Sequence, residues 1–322
     1  MKHPAKTDVA VLILFFNRPE PLKRVFEAIS QARPSRLYLY QDGPRGEQDL
    51  EGIKACREVV SDEQIDWDCD VQRNYQTANA GCDPSNYNAQ RWAFTLSDKV
   101  VVFEDDSIPS VTFIRFCKEM LDRYEHDERI TLISGFNSDE VTEGVPYDYF
   151  FTSVFSIWGW ASWRRVIDQW DATYSFLDDD YNWHQLTALA KERKVRKSLV
   201  QMPFPHRESG KAYYESIFWP TMMFNSGLAI TPTRNMINNL GAMAGDAVHY
   251  TASFKTMPRR LRQVFTMKRY ELEFPLKHPK YVIEDIDYKH HVYRTNAWGH
   301  PWIKIRYSLE ELWNNLVVPL MM

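Results

Sequence analysis

Three observations predict an α/β fold built on a mostly parallel, Rossmann-like sheet. Strand-like and helix-like segments alternate through the first half of the chain. The run Val100-Val101-Val102-Phe103 is apolar, rich in β-branched residues and free of alternation, as in a strand covered on both faces. That run passes straight into Glu104-Asp105-Asp106, which puts three carboxylates at the sheet rim where α/β proteins bind their ligands.

The elements follow in order. Residues 9–16 read as the first strand, and residues 21–32 as a helix with Leu22, Val25, Phe26 and Ile29 on one face. Residues 36–41 form a second strand ending at Asp42-Gly43-Pro44, and a helix over 49–60 leads to a third strand around 67–72. A helix over 86–96 precedes the strand 100–103. Another helix spans 109–124, its first turn favoured by Pro109, and residues 130–134 are again a strand. This rhythm implies parallel strands joined by right-handed crossovers. The second half is less regular: a Trp-rich block at 157–171, a basic helical stretch at 191–197, a short strand at 228–232, and an amphipathic helix over 309–316. The expected organisation is a binding and catalytic domain at 1–252 followed by a C-terminal helical extension at 253–322.

The chain has 322 residues, 44% hydrophobic and 25% charged, which suits a folded globular protein. Aromatics reach 14%, with 11 Trp, and such faces serve equally for packing and for stacking on sugars or bases. The formal charge of −4 is uneven: residues 251–322 carry 12 Lys/Arg against 7 Asp/Glu, leaving −9 for residues 1–250. An acidic body argues against nucleic acid as a partner, whereas the basic tail suits an anionic surface or substrate. The cysteines at 56, 69, 82 and 117 form no CxxC pair, which speaks against zinc and fits a reducing compartment. The apolar run at 9–16 is followed by Asn17-Arg18-Pro19-Glu20 rather than a cleavage site. With no apolar stretch of about 20 residues, the expected setting is the cytoplasm, peripheral membrane contact remaining open.

Strand ends in a parallel sheet share one rim, so Asn17-Arg18, Asp42-Gly43 and Glu104-Asp105-Asp106 are expected together there. Adjacent carboxylates repel, and a hard divalent ion such as Mg²⁺ or Mn²⁺, held by one or two of them and by phosphate oxygens, answers that repulsion. No GxGxxG follows the first strand and no GxxxxGK[ST] occurs, so neither a dinucleotide fingerprint nor a P-loop is present.

Four segments carry a family resemblance: LILFFNR at 12–18, Gln41-Asp42-Gly43, Arg91-Trp92-Ala93 before VVVFEDD at 100–106, and Trp158-Gly159-Trp160. In that order they resemble the GT-A-type glycosyltransferases. Within that class the chain is most similar to the N-acetylglucosaminyltransferase that initiates complex N-glycans and to bacterial hemolytic-protein-like relatives. The resemblance implies a nucleotide-sugar donor, most simply a UDP-sugar, and a glycan or lipid-linked glycan acceptor. It places Phe16, Arg18, Asp42 and Arg91 among the nucleotide-sugar contacts, with Asp42 on the base and Arg18 by the base or ribose. Asp105 contacts the ribose or sugar, Asp106 binds the metal, and Glu104 supports both from behind. Trp158, Gly159 and Trp160 line the donor-sugar and acceptor pocket. The relatives' histidine before Arg-Trp-Ala falls on Ala89, with Asn86 or Asn88 as substitutes.

Inverting transfer needs a carboxylate base, and the resemblance nominates Glu215 in Tyr213-Tyr214-Glu215-Ser216-Ile217-Phe218-Trp219, with Glu208 and Asp180 as rivals. Flanking aromatics raise the affinity of such a carboxylate for its proton. His249, after Asn238-Asn239-Leu240-Gly241, resembles a residue that closes over the phosphates or metal. The aromatic and basic segment 298–316 reads either as a helix in a membrane interface or as one packed back on the domain. The expected activity is hexosyl or N-acetylhexosaminyl transfer in surface-polysaccharide synthesis. The alternatives are a sugar-1-phosphate nucleotidyltransferase, whose Gly-rich loop Asn17-Arg18-Pro19-Glu20-Pro21 does not supply, and a non-catalytic glycan-binding protein.

Overall fold

A computed structural model describes residues 2–241 and 254–317. The first half runs β1 (Thr7–Phe15), α1 (Pro19–Ala32), β2 (Pro34–Gln41), α2 (Leu50–Val59), β3 (Asp70–Tyr75), α3 (Cys82–Leu96), β4 (Lys99–Glu104), β5 (Ser107–Pro109), α4 (Phe113–Arg123) and β6 (Ile130–Ser134). There follow β7 (Tyr149–Thr152), β8 (Trp160–Trp163), α5 (Arg164–Ile167), α6 (Asp180–Leu189), α7 (Arg193–Val195), α8 (Pro203–Glu208), α9 (Tyr214–Phe224), β9 (Leu228–Pro232), β10 (Ile237–Asn239), α10 (Arg259–Gln263), α11 (Ile286–Thr295) and α12 (Pro301–Val317).

The fold is α/β, with an eight-stranded sheet in the order β3-β2-β1-β4-β8-β6-β9-β7. β3, β2, β1 and β4 are mutually parallel, β6 and β9 run with them, and β8 and β7 run against them. The apolar run of β1 is buried from Val9 to Phe15, as a central strand covered by helices on both faces requires. α1 opens with Pro19 in its first turn and stops at Arg33, whose left-handed conformation (φ 44°) returns its N–H to the carbonyls of Ile29 and Ser30.

Two departures from the expected pattern bear on the site. The helix expected from residue 109 starts at Phe113, because Ser107–Pro109 pairs instead with β10 in a two-stranded antiparallel ribbon. α3 starts four residues earlier than expected, at Cys82, and so brings Cys82 and Asp83 to the rim end of the helix.

The chain beyond residue 254 returns to the body. Leu272 and Leu276 join the main core, Glu271 accepts from the N–H groups of Val111 and Thr112, and Tyr288 packs on Phe150 at 4.7 Å. No helix of the described residues is long and apolar enough to cross a membrane.

Candidate active site

Parallel register brings the expected rim together. Leu14 pairs with Glu104 and Phe15 with Gln41, so the chain leaves β1, β2 and β4 at one level. Arg18, just before α1, reaches across to the end of β4. Its Nη2 donates to Asp105 Oδ1 and to Asp106 Oδ2 (3.0 Å), and its Nε donates to Asp105 Oδ2 (3.4 Å). The Phe16 N–H also donates to Asp105. Burial works against the charge on Arg18, but Asp105 and Asp106 more than offset it and hold the guanidinium protonated. Burial raises the pKa of Asp105 and of Glu104; Arg18 opposes the rise at Asp105, and the neighbouring acids add to it at Glu104.

Asp106 is held from the other side by the β5–β10 ribbon. Asn239 Nδ2 donates to its Oδ1 (2.9 Å), and the Leu240 N–H donates to its backbone carbonyl (2.9 Å). Gly241 sits so close that a Cβ there would lie 2.8 Å from Asp106 Oδ2, so only glycine lets the turn wrap the carboxylate without displacement.

Whether these residues suit a divalent ion turns on their donor chemistry. Asp106 offers oxygen donors, and a carboxylate has about four acceptor positions, of which Arg18, Asn239 and Ser107 Oγ take three. One further bond to a hard cation therefore fits. Among the described residues no three His, Cys, Asp or Glu side chains converge as a metal-binding group. The described residues thus offer one carboxylate ligand, which suits an ion that fills much of its shell with phosphate oxygens and water.

Facing this rim is the start of α9. Tyr214, fully buried, donates its hydroxyl to Glu104 Oε1 (3.3 Å), and the next residue, Glu215, shares a hydrogen bond with Asp83 at the start of α3. Glu215 and Cys82 are open to solvent yet surrounded by protein on most sides, the situation of side chains lining a cleft. Enclosure, and then Asp83, push the Glu215 carboxyl up to about 7. Cys82 is pushed up to about 12 by enclosure and by Glu104. Glu208 and Asp180 are exposed at the ends of α8 and α6.

Other expected residues take different positions. Asp42 is at the rim, but its oxygens already accept from the N–H groups of Gly43, Ala80 and Gly81 and from Asn79 Nδ2. It therefore organises the loop leading into α3, with its acceptor capacity filled. Arg91 does not reach the rim: it lies nine residues into α3 and donates to the Ile167 carbonyl (2.8 Å) and to Asp168 (3.3 Å), tying α3 to α5. Trp160 belongs to the core, buried in β8 against Phe218 (5.4 Å between rings). Gly159 (φ +62°) has Ile237 Cδ1 2.5 Å from where a Cβ would be, so it serves packing between β8 and the ribbon. Trp158, two residues before the Val102–Trp160 pair, comes level with Glu104 and packs on Phe136 and Phe265. His249 lies outside the described residues.

Asp83, Tyr214 and Asn239 stand at the candidate site without having been singled out by the sequence pattern, since each is placed by a partner more than 100 residues away. Asn86, one of the two proposed histidine substitutes, is buried one turn into α3, and its Oδ1 has no partner among the described residues. Two cavities, of about 650 and 820 Å³, share no lining residue with the rim.

No protein-family model matches the chain, and no characterised protein matches it by sequence. Several solved structures are similar at low identity. The structure of S. aureus TarS 1–349 aligns with TM-score 0.40 and 9% identity, over 72% of this chain and 59% of that one. Mouse xyloside xylosyltransferase 1 aligns with TM-score 0.36 and 12% identity over 67% and 81%. The glycosyltransferase GlyE of Streptococcus pneumoniae TIGR4 aligns with TM-score 0.32 and 11% identity over 70% and 45%. The chain thus spans about three fifths of the TarS structure.

Proposed function

We propose that this chain is a glycosyltransferase that moves a sugar, hexosyl or N-acetylhexosaminyl, from a nucleoside-diphosphate donor to a glycan hydroxyl. UDP is the first nucleotide to test. The observation that carries the reading is the meeting of two kinds of carboxylate at one rim, where Glu104 lies within electrostatic reach of both Asp106 and Glu215. On one side, Arg18 and Asp106 combine a fixed cation with a free acceptor position, the chemistry a diphosphate–metal pair requires. On the other, Glu215 titrates near 7, where a general base is most effective.

In this mechanism residues 1–252 form the catalytic body. Arg18 binds and orients the diphosphate, and Asp106, fixed by Asn239, would hold Mn²⁺ or Mg²⁺. When bound, that ion offsets the charge on the departing diphosphate. Glu215 takes the proton of the acceptor hydroxyl as its oxygen bonds to the anomeric carbon. The bond from that carbon to the diphosphate oxygen breaks, and its electron pair leaves with the nucleoside diphosphate. Attack opposite the leaving group inverts the anomeric centre. Asp83 acts as a positioning residue, holding Glu215 through their shared hydrogen bond.

The test separates binding from chemistry. Calorimetry is expected to show UDP binding that depends on Mn²⁺ and is lost in Asp106→Ala. Glu215→Gln is expected to bind UDP normally while turnover falls by ~10²–10⁴-fold. Absence of nucleotide binding with any divalent ion, or near-normal turnover in Glu215→Gln, would overturn the reading. Formation of a nucleotide-sugar from a sugar-1-phosphate would assign the chain to nucleotidyl transfer instead.

A further inference from the structure

Helix α12 is built back to front for a helix that closes a globular body. Over its 17 residues only Tyr307 is buried, donating its hydroxyl to the Thr295 carbonyl. Trp302, Ile305, Leu309, Leu312, Trp313 and Leu316 are all exposed, Trp302 by 81% and Trp313 by 65%. At 3.6 residues per turn these six fall within an arc of about 100°, a continuous apolar stripe about 21 Å long. Tyr307 and Glu310 lie on the opposite side, where Glu310 accepts from the Arg259 N–H (2.7 Å) and so turns its charge inward. Soluble proteins seldom leave a patch of this kind uncovered.

The flank of the same helix is cationic. Arg306 stands between the stripe and a cavity of about 820 Å³ whose walls also carry Arg260, Arg294 and three histidines; among its described lining residues Glu192 is the one acid, and Asp139 lies 3.5 Å from His291 behind it. A second copy of this chain on the stripe, related by a two-fold axis, brings two such basic clusters toward each other, which like charges resist. An anionic lipid surface meets both halves of the feature: acyl chains take the stripe and phosphate headgroups take the arginines. Tryptophans near both ends suit the headgroup boundary. At about 25 Å and with Lys304 and Arg306 within it, the helix lies on a bilayer rather than crossing it.

We propose that α12 and its basic flank dock this protein onto an anionic phospholipid surface. The inference is independent of the donor chemistry and is tested on the 322-residue chain by flotation with vesicles. Wild-type protein is expected to float with vesicles of mixed phosphatidylglycerol and phosphatidylcholine, and not with phosphatidylcholine alone. Leu309→Glu with Leu312→Glu is expected to abolish flotation with an unchanged melting temperature, since neither side chain is in the core. Arg260→Glu with Arg306→Glu is expected to weaken it about tenfold or more and to flatten its salt dependence. Inorganic phosphate at millimolar concentration is expected not to compete, which separates a lipid surface from a soluble anion site. The proposal is overturned if the wild type does not float, if the leucine pair floats unchanged, if millimolar phosphate displaces the protein, or if the stripe mediates only a dimer that those substitutions dissolve.

Discussion

In the proposed mechanism the chemistry rests on Glu215, and the environment of that residue predicts a pH dependence. Enclosure in the cleft raises its carboxyl from the ordinary 4.5 to about 7, with Asp83 adding to the effect and Glu104 nearby. A base must be ionised, so kcat/KM is expected to rise between pH 5 and 8 with an apparent pKa near 7. Asp83→Asn removes a neighbouring acid and is expected to move that limb to lower pH; a limb that stays put removes Asp83 as a positioning residue. The stability effect has the opposite sense to a paired acid. The folded chain binds the extra proton between about 4.5 and 7, so this carboxyl costs stability as pH rises through that window, and fully above it. Thermal melts of Glu215→Gln and wild type are therefore expected to diverge toward alkaline pH, with the variant the more stable. At this scale, positions that depend on a strand end were legible: β4 had to stop at Glu104, and Arg18 and Asp42 had to share its rim. Arg91 and Trp160 were not, because the face of α3 or β8 that turns inward is set by tertiary packing rather than by a motif.

At the scale of elements, the β5–β10 ribbon turns a strand end into a site. The run after Glu104 reads as a loop leading to a helix, since three residues with Pro109 at the end carry little strand signal. Its partner, Ile237–Asn239, is more than 120 residues away, and no local pattern announces such a pairing. Yet the ribbon supplies Asn239, which clamps Asp106 through its Nδ2 and accepts from the Gly241 N–H through its Oδ1 (2.8 Å). Asn239→Ala removes both bonds and leaves a buried carboxylate oxygen under-partnered. It is expected to cost about 1–3 kcal/mol in urea unfolding and to weaken nucleotide binding in the presence of metal. Full retention of both would mean the ribbon does not anchor the rim. The antiparallel strands β7 and β8 were illegible for a related reason: four buried residues without alternation do not reveal strand direction.

For the whole molecule, the parallel half of the sheet collects the polar strand ends at one edge while the later elements close over them. α9 brings Glu215 and β10 brings Asn239 to carboxylates fixed more than 100 residues earlier. A site assembled from such distant segments is stabilised by whatever bridges them, because a ligand bound only to the folded state adds RT ln(1 + [L]/Kd). With Asp106 as the one proposed metal ligand among the described residues, Mn²⁺ alone has little there to hold it, and a diphosphate alone meets the surrounding acids. Each added singly is therefore expected to leave the melting temperature nearly unchanged. Together, at about 100 times the dissociation constant, they are expected to add about 2.7 kcal/mol, a rise of a few degrees. Asp106→Ala is expected to erase that rise, measured against the variant's own unliganded melting temperature. The same shift with Mn²⁺ alone would require further metal ligands around Asp106, and a shift with UDP alone would make Arg18 the sole anchor of the phosphates.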